Sequence, residues 1–490
     1  MTLVSFPRRL ADFAAAHPDD PAVTCGERSV TRAQLERNGN RLARHLADLG
    51  VGLGDFVTVA LPNSVEWFET YVAIWKLGAI PQPVSAKLPP RELVAIVELA
   101  GSKVVVGVDP GSELAGLLPA GTACLSAGHD AHASYADDPL PDAVSPAWKA
   151  PTSGGSTGRP KLIVSGDPAL SDDEVPSRFG MEPGGCLIMP GPLYHNGPAV
   201  WACDALLTGS HVVLLPRFDA EATLAAIERY RGDIVYLVPT MMKRIWRLPE
   251  ETRLRYDLSS IRAIWHLAEP CPPWLKEVWI DWLGAERILE LYAGTEAQVA
   301  TVITGTEWLA HRGSVGRPSS GEVRICDHDG NPLPPGEQGE VWLRSASETP
   351  TYRYVGASAK TMDGGWESLG DMGWLDEDGY LYLGDRLSDM ILSGGANIYP
   401  AEVEAAINEH PAVRSCIVIG LPDDDLGSTV HAIVEADEAD LPREELVAFL
   451  GERLARYKIP RSIEFVDEAL RDDAGKVRRS AFRSARTDQG

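Results

Sequence analysis

The chain has 490 residues, 44% of them hydrophobic, with 70 acidic against 45 basic side chains and a formal net charge of −25. That length allows roughly three average domains and a large core. The acidic excess argues against a general nucleic-acid or anionic-membrane binder, and no run reaches the ~18 unbroken apolar residues of a membrane helix.

The N-terminal stretch "MTLVSFPRRLADFAAAHPDD" lacks the long apolar segment of a secretory signal. In "TRAQLERNGNRLARHLADLG", Leu35, Leu42, Leu46 and Leu49 recur at helical spacing, and Gly50 is a natural stop. "DFVTVALPN" reads as a short strand halted by Pro62 and Asn63. "SVEWFETYVAIWKLGAIPQPV" reads as a second helix ending near Gly78, and "SKVVVGV" as a buried strand. "HVVLLP", "DIVYLVPT", "IRAIWHLAEP" and "RILELYAGTE" continue the β-α-β rhythm, which implies an α/β fold with mostly parallel, helix-flanked sheets. In such folds ligands gather beyond the carboxyl ends of the strands. From about residue 320 the texture changes to strand–turn–strand, as in "GEVRICDHDGNPLPPGEQGEVWLR" and "GDMGWLDEDGYLYLGDR", which predicts a small antiparallel unit. Asp376, Glu377 and Asp378 read as a solvated turn within it. After Arg386 a compact α+β segment follows: "AEVEAAINEH" and "REELVAFLGERLA" as helices, "VRSCIVIGLPD" and "TVHAIVEAD" as strands, and a basic tail. The expected boundary falls at residues 387 and 388, giving a large domain, 1–387, and a small one, 388–490.

Seven cysteines (Cys25, Cys124, Cys186, Cys203, Cys271, Cys326 and Cys416) show no C-x-x-C spacing and are odd in number. The expectation is reduced thiols in a cytoplasmic protein, with no zinc site.

"PTSGGSTGRPK", from Pro151 to Lys161, is too rich in glycine and hydroxyls to pack a core. It offers backbone N–H groups, hydroxyls and an ammonium, the means of holding phosphate, although a Gly/Ser-rich surface linker has a similar look. It is no Walker A loop, because Arg159 and Pro160 separate Gly158 from Lys161 and Leu162 follows the lysine; nor is it G-x-G-x-x-G.

The loop resembles the phosphate loop of the adenylate-forming superfamily: acyl- and aryl-CoA synthetases, adenylation domains of peptide synthetases, and luciferases. "PLYHNGP" (192–198), "YAGTE" (292–296), "GDMGWLDEDGYLYLGDR" (370–386), "ILSGGANIYPAEVE" (391–404) and "GKVRR" (475–479) follow in the family's order across nearly the whole chain. The resemblance implies a two-step reaction. A carboxylate attacks the α-phosphorus of ATP, giving an acyl-adenylate and pyrophosphate; a thiol, usually that of coenzyme A, then displaces AMP. The small C-terminal domain rotates between the steps.

The resemblance also implies residue roles. Thr152, Ser153, Gly154, Gly155, Ser156, Thr157 and Lys161 match the loop over the β- and γ-phosphates. This loop has an extra glycine after Ser153, and Leu162 stands where relatives often have glycine. Glu296, with Thr157, matches the Mg²⁺ site. Thr295 would touch the α-phosphate, and Tyr292 would stack on adenine, whose other face meets Ala268, Glu269 and Pro270 in place of the usual glycine-rich sequence. Asp371 matches the acceptor of the ribose hydroxyls, and Arg386 the nearby arginine. Lys476 matches the adenylation lysine, placing positive charge where negative charge grows. A solvated basic tail would look similar. Ser388 occupies the hinge position, where Asp or Lys is usual, and Gly394 and Gly395 match the strand lining the CoA tunnel. His195, grouped with Lys476 and Lys161 among the catalytic candidates but not as a base, matches the wall between acyl pocket and tunnel. Trp201, Val238, Pro239, Thr240, Met241, Ala293 and Gly294 would line the pocket, whose apolar character suits a bulky alicyclic, aryl or medium-chain acid. ATP, Mg²⁺ and coenzyme A are the expected cofactors, and the family's members are monomers or homodimers. Loading of a carrier-protein thiol or another nucleophile in trans, and a catalytically silent adenylate-binding scaffold, are the rival readings.

Overall fold

The computed structural model describes residues 3–128, 131–154, 160–172, 176–386, 389–393, 396–423, 426–472, 477 and 479–487. The architecture is mixed α/β, with a large N-terminal domain, a small antiparallel sheet and a small C-terminal domain. The chain forms two compact units, one of Met1–His266, Ala293–Gln298 and Ser347–Ala359, the other of Leu267–Tyr292, Val299–Ala346 and Lys360–Gly490. No described helix is long and apolar enough to cross a membrane.

In the first unit, the strands Pro21–Cys25, His211–Leu214, Cys186–Met189, Ile234–Leu237 and Ala263–Leu267 lie side by side and parallel. Cys186–Met189 and Ile234–Leu237 are buried at every position, as expected of strands covered on both faces. A second parallel sheet contains Ile80–Pro83, Phe56–Val59, Val104–Val106 and Ala123–Leu125. A third, antiparallel, joins Thr152–Gly154, Pro160–Ser165 and Tyr352–Val355. The helix Val65–Lys76 is buried at every position but the half-buried Glu66, because apolar side chains lie on every face of it, and Ser64 caps it by accepting from Trp67 N at 3.2 Å. Its two buried charges are paired: Glu69 accepts from Arg28 at 2.8 Å, and Lys76 donates to Glu36 at 2.7 Å.

In the second unit, Ser314–Ser320, Leu381–Arg386, Trp366–Leu375, Gly339–Arg344 and Glu322–Cys326 form the expected antiparallel ladder. Its turn at Asp376 is more than a solvated loop. Glu377 and Asp378 are exposed, but Asp376 is half-buried and accepts hydrogen bonds from Tyr380 N, His311 Nδ1 and the Tyr382 hydroxyl. Burial pushes its carboxyl up, and those bonds outweigh it, leaving the group below its ordinary range.

The C-terminal strands Ser415–Asp423, Gly427–Glu435 and Ser462–Val466 form one sheet. Val403 and Ile407 of the helix Pro400–Asn408, and Leu446 and Leu450 of the helix Arg443–Gly451, pack in its core. Glu404 is buried there and accepts from Val418 N at 2.9 Å, Arg471 at 3.0 Å and Arg479 at 2.8 Å. Arg479 also reaches Asp389 at 3.0 Å.

Removing one member of a buried ionic network leaves the others uncompensated, at a cost of about 3–5 kcal/mol. Glu404→Leu is therefore expected to strip hydrogen-exchange protection from the amides of Ser415–Asp423. Unchanged protection there would show that the network contributes nothing.

Candidate functional site

The glycine-rich loop is held at its roots. Ser153 pairs with Lys161, and Gly154 with Pro160, across the hairpin, while Tyr352–Val355 flanks its second strand. Thr152 Oγ1 accepts from Gln82 Nε2 at 2.6 Å. Gln82 in turn accepts from Thr58 at 2.7 Å, and Thr58 meets Ser102 at 2.7 Å, so a buried polar chain anchors the first loop residue. Leu162, the departure from the usual glycine, is fully buried beside Ile80, Ile96 and Val97. Apolar burial accounts for it. Gly155, Ser156 and Thr157 lie outside the described residues, as do Ser388, Gly394, Gly395 and Lys476.

Lys161 and Glu296 are brought together. Lys161 Nζ lies 3.6 Å from Glu296 Oε1 and 3.9 Å from the centroid of the Tyr354 ring. The Tyr354 hydroxyl donates to Glu296 Oε1 at 2.5 Å, and Thr351 Oγ1 donates to the Glu296 carbonyl at 2.7 Å. The strand after the hairpin thus fixes Glu296 through both backbone and carboxylate. The ammonium is balanced by a carboxylate and by the negative face of an aromatic ring. One carboxylate fits a hard cation that arrives on phosphate oxygens and keeps several waters. Among the described residues no group of three or more His, Cys, Asp or Glu could hold a metal ion. Of their neighbours, Thr295 and Gly294 are half-buried and Ala293 is exposed.

Helix Asn196–Thr208 starts just beyond the carboxyl end of Cys186–Met189, and Val238, Pro239 and Thr240 directly follow Ile234–Leu237. His195 is the half-buried N-cap residue of that helix, and its side chain makes no capping bond. Trp201, Val238, Pro239 and Met241 are buried, and Thr240 is half-buried. Phe179 stacks on Trp201 with ring centroids 3.7 Å apart, while Tyr236 and Trp265 meet Trp201 edge-on at 5.5 and 6.0 Å. Gly197 is required by close approach, since a Cβ there would stand 2.4 Å from the Tyr236 hydroxyl oxygen.

In the second unit, the Tyr292 hydroxyl donates to Asp371 Oδ2 at 2.7 Å, and Asp371 pairs in register with Arg386. The strand Ile288–Ala293, which carries Tyr292, is tied to the helix Pro273–Leu283 by a buried Lys276–Glu290 bond of 2.6 Å. Burial pushes the Glu290 carboxyl up, against the pull of Lys276. Ala268 holds a left-handed backbone, φ +74°, the conformation that favours glycine. Glu269 is half-buried and Pro270 exposed.

Sequence reasoning missed Tyr354, Phe179, Tyr236, Trp265 and Gln82. Alternating tyrosines in "TYRYVG" signal a strand, but nothing local says that Tyr354 meets Glu296.

A family model described as "AMP-binding enzyme" matches residues 10–353, and one described as "AMP-binding enzyme C-terminal domain" matches residues 402–476. The chain is 33% identical over 489 residues to a feruloyl-CoA synthase from Amycolatopsis sp, covering 98% of each chain. It is 32% identical to the long-chain-fatty-acid–CoA ligase FadD13 of Mycobacterium tuberculosis, covering 93% of this chain and 92% of that protein. The structure of o-succinylbenzoate CoA synthetase (MenE) from Bacillus subtilis, in complex with its acyl-adenylate intermediate OSB-AMP, superposes with a TM-score of 0.80 at 25% identity, over 98% of both chains.

Tyr354→Phe keeps the ring under Lys161 and deletes the hydroxyl donor to Glu296. A hydrogen bond to a charged group contributes about 1.5–3 kcal/mol, so a denaturant melt should show a loss near the lower figure. Tyr354→Ala should lose more, because the cation–π contact goes too. Equal losses in the two variants would show that the ring contact adds nothing.

Proposed function

Because the chain belongs to the AMP-binding enzyme family, we propose that it is an acid–thiol ligase. In this reading the carboxylate oxygen, already ionised at pH 7, attacks the α-phosphorus of ATP and expels pyrophosphate without a general base. The CoA thiol then displaces AMP from the acyl-adenylate to form the thioester.

The observation that carries the reading is the Lys161–Glu296 pair backed by Tyr354. At rest the two charges balance each other. With nucleotide bound, Lys161 would turn from the carboxylate to β- and γ-phosphate oxygens, leaving the Glu296 carboxylate free to serve as a metal ligand. The 2.5 Å Tyr354 bond keeps Glu296 in place while Lys161 moves. Glu296, with Thr157, would hold Mg²⁺, which when bound neutralises phosphate charge. Ser153, Gly154, Gly155 and Ser156 present the loop backbone to the phosphates, with Thr295 at the α-phosphate. Tyr292, Ala268, Glu269 and Pro270 take adenine, and Asp371 takes the ribose hydroxyls with Arg386 nearby. Lys476 supplies the charge that draws carboxylate and α-phosphate together. Residues 388–490 pivot at Ser388 to bring Gly394 and Gly395 to the pantetheine arm.

The acid is hydrophobic. The aromatic cluster around Trp201 supports an aryl or bulky alicyclic acid as readily as a medium acyl chain. The matched relatives act on feruloyl and long-chain fatty acyl groups.

The test is mass spectrometry of products from enzyme, ATP, Mg²⁺, CoA and a panel of ferulate, benzoates, o-succinylbenzoate, alicyclic acids and fatty acids. An acyl-CoA is expected, with AMP release falling more than a hundredfold in Lys476→Ala. AMP without acyl-CoA would redirect the second step to a carrier-protein thiol or another nucleophile. No AMP from any acid would favour the silent scaffold.

A further inference from the structure

Lys149 stands three positions before Thr152, at the root of the glycine-rich hairpin, and is 8% exposed. Its backbone is pinned: Ser165 N donates to Lys149 O at 3.0 Å, and the preceding Trp148 carbonyl accepts from Trp75 Nε1 at 2.9 Å. The side chain is held by its own contacts. Its ammonium donates to Asn196 Oδ1 and lies 4.6 Å from the Trp148 ring centroid. Buried Lys76 and Lys276 each have a carboxylate partner. Lys149 has no such pair among the described residues; its partners are a neutral amide and a ring. The groups that act on it from the packed elements are the Cys203 thiol on the same helix as Asn196, Asp167 beyond the hairpin strand, and Glu296. Burial pushes the Cys203 thiol up, so it stays protonated and supplies no counter-charge. Asn196 opens the helix Asn196–Thr208, whose positive dipole end makes a nearby cation still less favourable.

Two costs thus meet at Lys149, a buried charge with no carboxylate pair among the described residues and a like-signed helix end. An apolar side chain of similar volume would be the more stable choice. What the lysine does instead is hold Asn196, and with it His195 and the first turn of the helix that carries Trp201. Resting on the ligase reading above, we propose that Lys149 is a positioning residue for the acid end of the site, setting acid affinity through Asn196 while leaving the nucleotide end alone.

The test uses the panel acid with the highest wild-type kcat/KM, and the variants Lys149→Met, Asn196→Ala and the double variant. Each single change is expected to raise the acid KM about tenfold or more while the KM for ATP stays within twofold. The double variant should be no worse than either single one, because both remove one interaction. Lys149→Met should melt at or above the wild-type temperature at pH 7. Burial pushes the Lys149 ammonium down to about 8. Above that pH the native state loses a proton that the unfolded state keeps to its ordinary value, so native stability rises there as the buried charge disappears. The advantage of Lys149→Met should therefore shrink between roughly pH 8 and pH 10. Over the same range the wild-type acid KM should climb, and that of Lys149→Met should stay flat. An unchanged acid KM in a folded variant, additive single effects, or an equal rise in the KM for ATP would each overturn the assignment. If Lys149→Met does not fold, Asn196→Ala and the wild-type pH profile decide it. Wild-type protein that releases no AMP with any acid would instead overturn the ligase reading, and the premise with it.

Discussion

The placement of one ion pair governs much of the first unit. Lys161 and Glu296 come from distant stretches of chain, yet they lie 3.6 Å apart with a tyrosine ring against the cation and its hydroxyl on the anion. Neither charge is well placed by itself: Glu296 is buried, and Lys161 sits on a strand whose next residues, Leu162, Ile163 and Val164, are core. Each makes the other tolerable. The hairpin, the flanking strand Tyr352–Val355 and the polar chain through Gln82 serve to hold that pair in register.

Several other buried charges follow the same rule with different partners. Glu69, Lys76, Glu290 and Glu404 each meet an opposite charge, and each ties one element to another: helix to strand, helix to helix, strand to helix, or helix to the C-terminal arginines. Lys149 breaks the rule, held by an amide and a ring. A cost with no structural return is a reason to look for a functional one, and its grip on the first residue of the helix bearing Trp201 supplies it. Ala268, strained at φ +74° where glycine would be at ease, departs from local preference in the same way.

Much of the fold was legible in the chain. Thr31 with Gln34 forms the capping box that starts the helix Arg32–Asp48, and Gly50 takes the positive φ that stops the chain turning further. "SVEWFETYVAIWKLGAIPQPV" marked the helix Val65–Lys76, and "HVVLLP" and "DIVYLVPT" marked the parallel strands His211–Leu214 and Ile234–Leu237. Asp376 was less legible, because its acceptors are filled by His311, sixty-five residues away in sequence, as well as by its own turn.

What the sequence determined by itself was the set of parts: the glycine-rich loop, the strand–loop acid, the hairpin aspartate and the tail lysine, in family order. Such motifs are local because close backbone approach to a ligand, helix capping and turn formation depend on a few adjacent residues. Tertiary structure alone decided the pairings. Tyr354 reaches Glu296 across 58 residues, Tyr292 reaches Asp371 across 79, and Lys149 reaches Asn196 across 47. No periodicity or spacing encodes them. A side-chain contact between strands of different hairpins is set by how whole sheets pack, and that is the sum of many burial terms distributed along the entire chain.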